Sequence, residues 1–322
     1  MSVIAFAKNW NGKFKNSTYE LVSYTKKIAD QLNTKLIVVS IGEVNNEDLK
    51  SLGKYGAERL ISVNDPQMNI LTSRVYSQVI SEIAEKEGAN IIVLSDNNSG
   101  KAIAPRISVK MKAGMVAAVQ ELPVSLDPFI VKKRVFSGKA FAHVQIDSPV
   151  KVLTIAKNCF GVLENQVDCL IEEFEPEVSK DLYKIQVLEE EEQKNKVILS
   201  DADIVVSAGR GMRSPDNWGV VEELAEVLGA GTACSRPVSD EGWRGHEEHV
   251  GQTGKVIAPN LYFAAGISGA IQHVAGISRS KCIVAINIDP EAPIFGVADY
   301  GIIGDVMEVL PKLTEAIRNS KS

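Results

Sequence analysis

The residues best suited to chemistry fall in the last third of the chain, at the ends of short apolar runs. Ser207-Ala208-Gly209-Arg210-Gly211 sets two glycines and a guanidinium at the carboxyl end of a predicted strand. Glycine lets the backbone approach a ligand closely, and arginine forks onto a phosphate. Cys234-Ser235-Arg236-Pro237 ends a second short strand in the same way. Val250-Gly251-Gln252-Thr253-Gly254-Lys255 combines two glycines, an amide, a hydroxyl and an ammonium. Gly266-Ile267-Ser268-Gly269-Ala270-Ile271-Gln272-His273 places Ser268 at a predicted helix N-cap, with small residues over the first-turn amides. A helix terminus of that kind holds a pyrophosphate through its amides and dipole. His273 falls one turn into this helix, where a lone histidine is more often packing than ligand contact. Asn287 to Phe295 and Asp299 to Asp305 close the next two segments, each with polar groups and, in the first, two prolines. Singly these signals are weak, because glycine-rich strand-to-helix turns are common. Together, consecutive strand-end loops of an open α/β sheet should converge on one crevice. The expected ligand is large, bears phosphate and carries a polar ring system.

The elements behind these loops show an α/β rhythm: short β-branched runs alternate with longer amphipathic stretches, the sign of parallel sheets flanked by helices. In the first half the spacing predicts strands at 3–7, 36–41, 59–63 and 91–95, and helices at 17–32 and 70–87. Ser17 with Glu20 reads as a capping box, and Gly56 and Gly88 stand where helices want a residue tolerant of positive φ. Residues 129–136 and 140–146 predict a hairpin, followed by a strand at 152–155. Glu189-Glu190-Glu191-Glu192 is the clearest break in composition, and consecutive like charges read as a solvated connector. The rhythm then restarts, with strands at 204–207, 261–265 and 283–288 and helices at 215–228, 268–275 and 305–317. The fold class is therefore α/β in two domains, 1–188 and 197–322, joined through 189–196.

Composition narrows the function. A 322-residue chain exceeds one ordinary core, and its net charge of −6 with no basic stripe argues against nucleic acid as a partner. Cys159, Cys169, Cys234 and Cys282 lack zinc or dithiol spacing and read as structural thiols, Cys282 as a buried strand residue. No apolar run approaches the ~20 residues of a membrane span and no basic leader opens the chain, so no membrane insertion and a cytoplasmic location are expected. In the first half, Asp96-Asn97-Asn98-Ser99-Gly100-Lys101 follows a strand and opens a helix; it reads as a capped turn before it reads as an anion site. No dinucleotide fingerprint follows the first strand, which disfavours a pyridine-nucleotide dehydrogenase.

From 205 to about 305 the sequence resembles the FAD-binding domain of electron-transfer flavoprotein alpha subunits. The resemblance is carried by the motifs at 250–255 and 266–273 and by Asp289-Pro290-Glu291-Ala292-Pro293-Ile294-Phe295 through Ala298-Asp299-Tyr300-Gly301. It extends more loosely over the first half, notably at 100–106. It implies an N-terminal α/β sheet of nucleotide-hydrolase-like type and a C-terminal doubly wound parallel sheet that binds FAD. Carried over, the family's FAD contacts fall on Arg210, Ser235, Val250, Gly251, Gln252, Thr253, Ser268, Gly269, Ala270, Ile271, Gln272, His273, Asn287 and the pair Asp305-Val306. Arg236 matches the arginine beside the isoalloxazine, Thr253 the hydroxyl near N5 and His273 the imidazole near the C2 carbonyl; together they would favour an anionic, one-electron-reduced flavin. The resemblance further implies a heterodimer with a beta subunit that docks on the N-terminal domain. Donors would be acyl-CoA or similar dehydrogenases, the acceptor a membrane-associated quinone reductase, and the chain an electron carrier, not an enzyme. An electron-bifurcating subunit and a nucleotide-binding interaction module are the alternatives. Two stretches depart from the family: 243–249 is more charged, and Ala156-Lys157-Asn158 stands where an arginine is usual.

Overall fold

The computed structural model describes residues 2–183, 187–189 and 197–321. The chain divides into two compact units, Met1–Glu190 and Glu191–Ser322. The acidic connector expected at 189–196 lies, Glu189 apart, outside the described residues.

The first unit is built on ten strands: β1 (Ser2–Phe6), β2 (Lys35–Ile41), β3 (Arg59–Val63), β4 (Ala89–Ser95), β5 (Gly114–Val119), β6 (Ser125–Leu126), β7 (Phe129–Val135), β8 (Ala140–Gln145), β9 (Lys151–Ile155) and β10 (Leu170–Glu173). Among the described residues, four α-helices accompany them: α1 (Asn16–Gln31), α2 (Asn46–Ser51), α3 (Ser73–Lys86) and α4 (Asn98–Lys110). The sheet runs β10-β3-β2-β1-β4-β9-β5-β7-β6, with β8 paired to β7. Its central strands are apolar on both faces, as a sheet covered by helices on either side requires. Val3, Ala5, Leu36 and Val38 join one core with Leu21 and Ile28 of α1. Ile4, Phe6, Ile37 and Val39 face the other way, with Val79 of α3 and Ile103 of α4.

The 129–146 hairpin forms as expected, β7 against β8 in antiparallel register. The strand after it returns to the parallel sheet, where β9 inserts between β4 and β5. The turn at 96–101 is a capped helix start, with the Gly100 amide donating to Asn97 Oδ1 at 2.9 Å. The capping box does not form. Helix α1 starts one residue earlier, at Asn16, with Lys15 as N-cap and no side-chain cap. Glu20 turns away instead and accepts the amides of Asn158, Phe160 and Gly161 at 2.9, 2.8 and 2.9 Å. Three amides on one carboxylate outcompete a single local cap.

The second unit holds β11 (Ile204–Ala208), β12 (Gly231–Cys234), β13 (Leu261–Ala265), β14 (Cys282–Asn287) and β15 (Tyr300–Ile303), all parallel in the order β12-β11-β13-β14-β15. Its helices are α5 (Gly219–Leu228), α6 (Arg236–Asp240), α7 (Ile271–Ile277) and α8 (Val306–Lys321). Helices α5 and α8 pack on one face, through Leu224 and Leu310 against Val206 and Phe263. The other face is covered by the segment at 250–257 and the short α7, through Val250, Ile257 and Ile277 over Val205, Tyr262 and Ala264. A face covered by short, irregular segments has room at its edge for a ligand. Two expectations are corrected here. Helix α7 starts at Ile271 with Ala270, not Ser268, as N-cap, because Gly269 at φ +90° breaks the helical path first. Cys282 is half-buried, since it only opens β14, whereas Cys234 is buried and its thiol is pushed up to about 12 by burial.

Candidate functional site

The carboxyl ends of β11 and β13 meet where the chain order reverses: the chain leaves β11 for β12 on one side and returns to β13 on the other. Open α/β sheets bind ligands at such a switch point. Glycine makes the crossing possible. A Cβ on Gly209 would lie 2.4 Å from the Gly266 carbonyl oxygen, and one on Gly211 2.6 Å from the Gly266 Cα. Gly266 itself has φ +61°. The Gly211 amide donates to the Gly266 carbonyl at 3.1 Å, which locks the two turns together. Asn287, at the end of β14, ties in the third strand: its Nδ2 donates to the Ile267 carbonyl at 3.0 Å and its Oδ1 accepts the Asp289 amide at 3.0 Å. The 250–255 turn is held from both sides, by the Val250 amide on the Cys234 carbonyl at 3.0 Å and the Gln252 amide on the Gln272 carbonyl at 2.7 Å.

These segments enclose a crevice of about 550 Å³, within the range of cofactor sites. Of the expected residues, Arg210, Ser235, Arg236, Val250, Gly251, Gln252, Thr253, Ser268, Ala270, Gln272, His273 and Asn287 line it. Gly269, Ile271, Asp305 and Val306 are not among its lining residues. Gly269 is pressed against Ile294, and Ile271 is exposed. Asp305 caps α8 through the Met307 amide, and this bond together with Arg213 holds its carboxyl below the usual range. Val306, the first residue of α8, is buried in the core. Gly209, Gly211, Pro237, His249, Gly266 and Ile267 line the crevice as well. The glycines were visible as motif residues. His249 was marked only by the unusual charge of its segment.

That charge has a structural outlet. Arg244 donates to both Glu248 oxygens, at 3.0 and 2.9 Å, and to Glu222 at 2.9 Å. Glu248 is buried, so the ion pair fixes the loop that leads into the 250–255 turn. The crevice arginines are held more loosely. Arg210 lies 3.6 Å from Glu241 and Arg236 3.2 Å from Asp240, both in exposed pairs. Such pairs are worth only ~0–1 kcal/mol, so either guanidinium can turn to an anionic ligand at little cost.

Two lining imidazoles are buried with an unpartnered nitrogen, Nδ1 of His249 and Nδ1 of His273. Burial drives His273 down to about 4, with the Val250 backbone acting in the opposite sense. Burial also lowers His249, helped by His246 and Arg236 and opposed by Asp240. Both rings are therefore neutral at pH 7. Orphaned polar atoms beside a crevice mark a site whose hydrogen bonding is completed by a ligand. The lining fits FAD in kind: loosely held guanidiniums for a pyrophosphate, and neutral polar groups for a polar ring system.

A pH dependence follows for the ligand-free chain. An unfolded histidine takes a proton near 6.5, whereas native His273 resists protonation to about 4. Stability linked to His273 is thus complete above pH 6.5 and is lost as pH falls toward 4, by about 3 kcal/mol. Urea unfolding at pH 7 and pH 4 should show a smaller acid loss in His273→Gln than in wild type. Equal losses would contradict the burial of a neutral imidazole.

A parallel sheet with a glycine-built crevice at its switch point defines a cofactor-binding unit of the nucleotide type, joined here to a second α/β unit. The comparisons give the class its family. Residues 198–278 match the electron transfer flavoprotein FAD-binding domain, and residues 3–180 match the electron transfer flavoprotein domain. The chain is 36% identical over 322 residues to the electron transfer flavoprotein subunit alpha of Thermoanaerobacterium thermosaccharolyticum, covering 98% of this chain and 97% of that one. It is 35% identical to the subunit alpha of Bacillus subtilis, over 98% and 97% of the two chains. It is also 31% identical to the acryloyl-CoA reductase electron transfer subunit beta of Anaerotignum propionicum, over 98% and 95%. The chain belongs to the electron transfer flavoprotein alpha-subunit family. No helix among the described residues is long and apolar enough to cross a membrane.

Proposed function

We propose that the chain binds one FAD in the crevice of its second unit and works, with a beta subunit, as an electron carrier without a substrate of its own. The observation that carries the reading is the meeting of the family's scattered motifs around a single crevice at a switch point. Bound FAD supplies reversible one- and two-electron transfer, which the protein tunes. Arg210, Ser235 and the 266–272 turn hold the pyrophosphate, where first-turn amides of α7 lack intrahelical partners. Arg236, Thr253 and His273 serve the ring: a guanidinium, a hydroxyl and a neutral imidazole offer positive charge and donors to oxygens that become electron-rich. Val250, Gly251 and Gln252 shape its edge. Asn287 and Asp305 serve the adenosine end, Asp305 by way of its cap on α8.

The first domain, 1–188, docks the beta subunit, and 189–196 connects it to the FAD-binding domain at 197–322. Donors of the acyl-CoA dehydrogenase type fit a relative that bears the name acryloyl-CoA reductase electron transfer subunit. A membrane-associated quinone reductase is the proposed acceptor, and the cytoplasm the place of action. Co-expressed with its beta partner, the chain should purify yellow, with one FAD per alpha chain released on denaturation. FMN in place of FAD, or a colourless heterodimer after reconstitution, would overturn the reading.

A further inference from the structure

His273 lines the crevice, and a second residue stands behind it. Tyr262, on β13, is wholly buried, and its hydroxyl lies 2.8 Å from Nε2 of His273. Nδ1 of the same ring is buried without a partner. We propose that Tyr262 is a positioning residue for the cofactor: it donates to Nε2, so that His273 carries its proton on Nδ1 and keeps that N–H for the crevice ligand.

The tautomer follows from counting protons. A phenol has one proton to give, and a neutral imidazole has one N–H and one bare nitrogen. Burial pushes Tyr262 far above its usual range, so the hydroxyl stays protonated. Among the described residues, Nε2 is the one acceptor at hydrogen-bond distance from it. Ser207, on the neighbouring β11, is buried with its hydroxyl unpartnered, so it takes no proton from the phenol. The opposite arrangement, Nε2–H donating to the phenol, would strand the phenol proton in the core and leave Nδ1 as a bare lone pair. Both would then be unsatisfied. In the proposed arrangement a single gap remains, an Nδ1–H with no hydrogen-bond partner; the Val250 backbone acts on the ring as an acceptor would but completes no bond, and a ring carbonyl of the ligand fills the gap. Such a bond strengthens as its acceptor gains negative charge, whereas a bare nitrogen would repel that charge. Which nitrogen is protonated therefore decides whether His273 favours or opposes reduction of what it touches.

This inference rests on the FAD reading, and its test separates the two. The heterodimer is prepared with ¹⁵N-labelled histidine, as wild type and as Tyr262→Phe, which removes one oxygen and keeps the ring. In wild type, Nδ1 of His273 should show the shift of a protonated nitrogen and Nε2 that of a bare one. In the phenylalanine variant the two shifts should move toward each other as the tautomers mix. The variant should also hold the reduced flavin about ten-fold less tightly relative to the oxidised flavin, a potential lower by ~59 mV for a one-electron couple. A wild-type protein with FAD bound and the proton on Nε2 would overturn the inference and leave the FAD reading standing. A wild-type protein with the proton on Nδ1 but no FAD would do the reverse. A folded, FAD-replete variant with unchanged shifts and potential would also refute the role of Tyr262. If Tyr262→Phe does not fold, the wild-type shifts alone still decide the tautomer.

Discussion

Replacing Gly276 with alanine is expected to empty the crevice, lowering FAD affinity about 100-fold or more. A Cβ at this position of α7 would sit 2.6 Å from both the Cα and the amide nitrogen of Gly251, and 3.0 Å from its carbonyl carbon. These are backbone atoms and cannot rotate away, so either α7 or the 250–255 turn must move. Two bonds span the same contact: the Gln252 amide on the Gln272 carbonyl at 2.7 Å and the Ile257 amide on the Gly276 carbonyl at 2.9 Å. Overpacking of this kind costs about 1–3 kcal/mol before any bond is lost, and ~3 kcal/mol of binding energy is about a factor of 100. Flavin fluorescence titration of the variant against wild type checks the loss. Gly219→Ala is the control: a Cβ there meets nothing within 4 Å, and FAD should stay bound. Tight FAD binding by Gly276→Ala would show that the turn does not shape the site.

Glu20→Ala should destabilise the first unit by about 3–5 kcal/mol, a large share of the ~5–15 kcal/mol that typically holds a domain together. Glu20 is 3% exposed and accepts the amides of Asn158, Phe160 and Gly161. Bonds to a charged acceptor are worth about 1.5–3 kcal/mol each, and truncation strands three donors at once. The turn they belong to cannot recover by relaxing locally, because Asn158 and Gly161 have φ +57° and +88°. Glu20→Gln should fall between: its oxygen can keep the two amides on one side, but its NH2 meets the third amide head-on. Urea unfolding of the three proteins gives the order. An alanine variant within about 1 kcal/mol of wild type would mean that the carboxylate is dispensable.

Much of the fold is legible in the sequence. The two-faced apolar runs around residues 4, 37 and 92 required a sheet covered on both sides, since only burial on both faces accounts for strands without alternation. Glycines at strand ends, with arginine, serine and amide groups beside them, announced a crevice and most of its lining. Both readings rest on local patterns of adjacent residues, and the structure keeps them because packing and propensity agree.

The rest depended on residues far apart in sequence. Ser17 and Glu20 have capping-box spacing, yet Glu20 serves a turn some 140 positions later, because three amides outweigh one. Ser268 was the natural cap of α7 until Gly269, pressed against Ile294, moved the cap to Ala270. No spacing rule brings Gly276 onto Gly251, or sets the Tyr262 hydroxyl behind the His273 ring. The two histidines of the crevice show the division most plainly. The place of His273 in a glycine-rich motif was readable and that of His249 was not, and the neutrality and unpartnered nitrogens of both come from burial. By itself the sequence determined which segments carry ligand chemistry and which elements present them. Only the tertiary structure decided which groups are desolvated, which bonds are completed and which donors are left over, because those depend on atoms that meet only after the chain has folded.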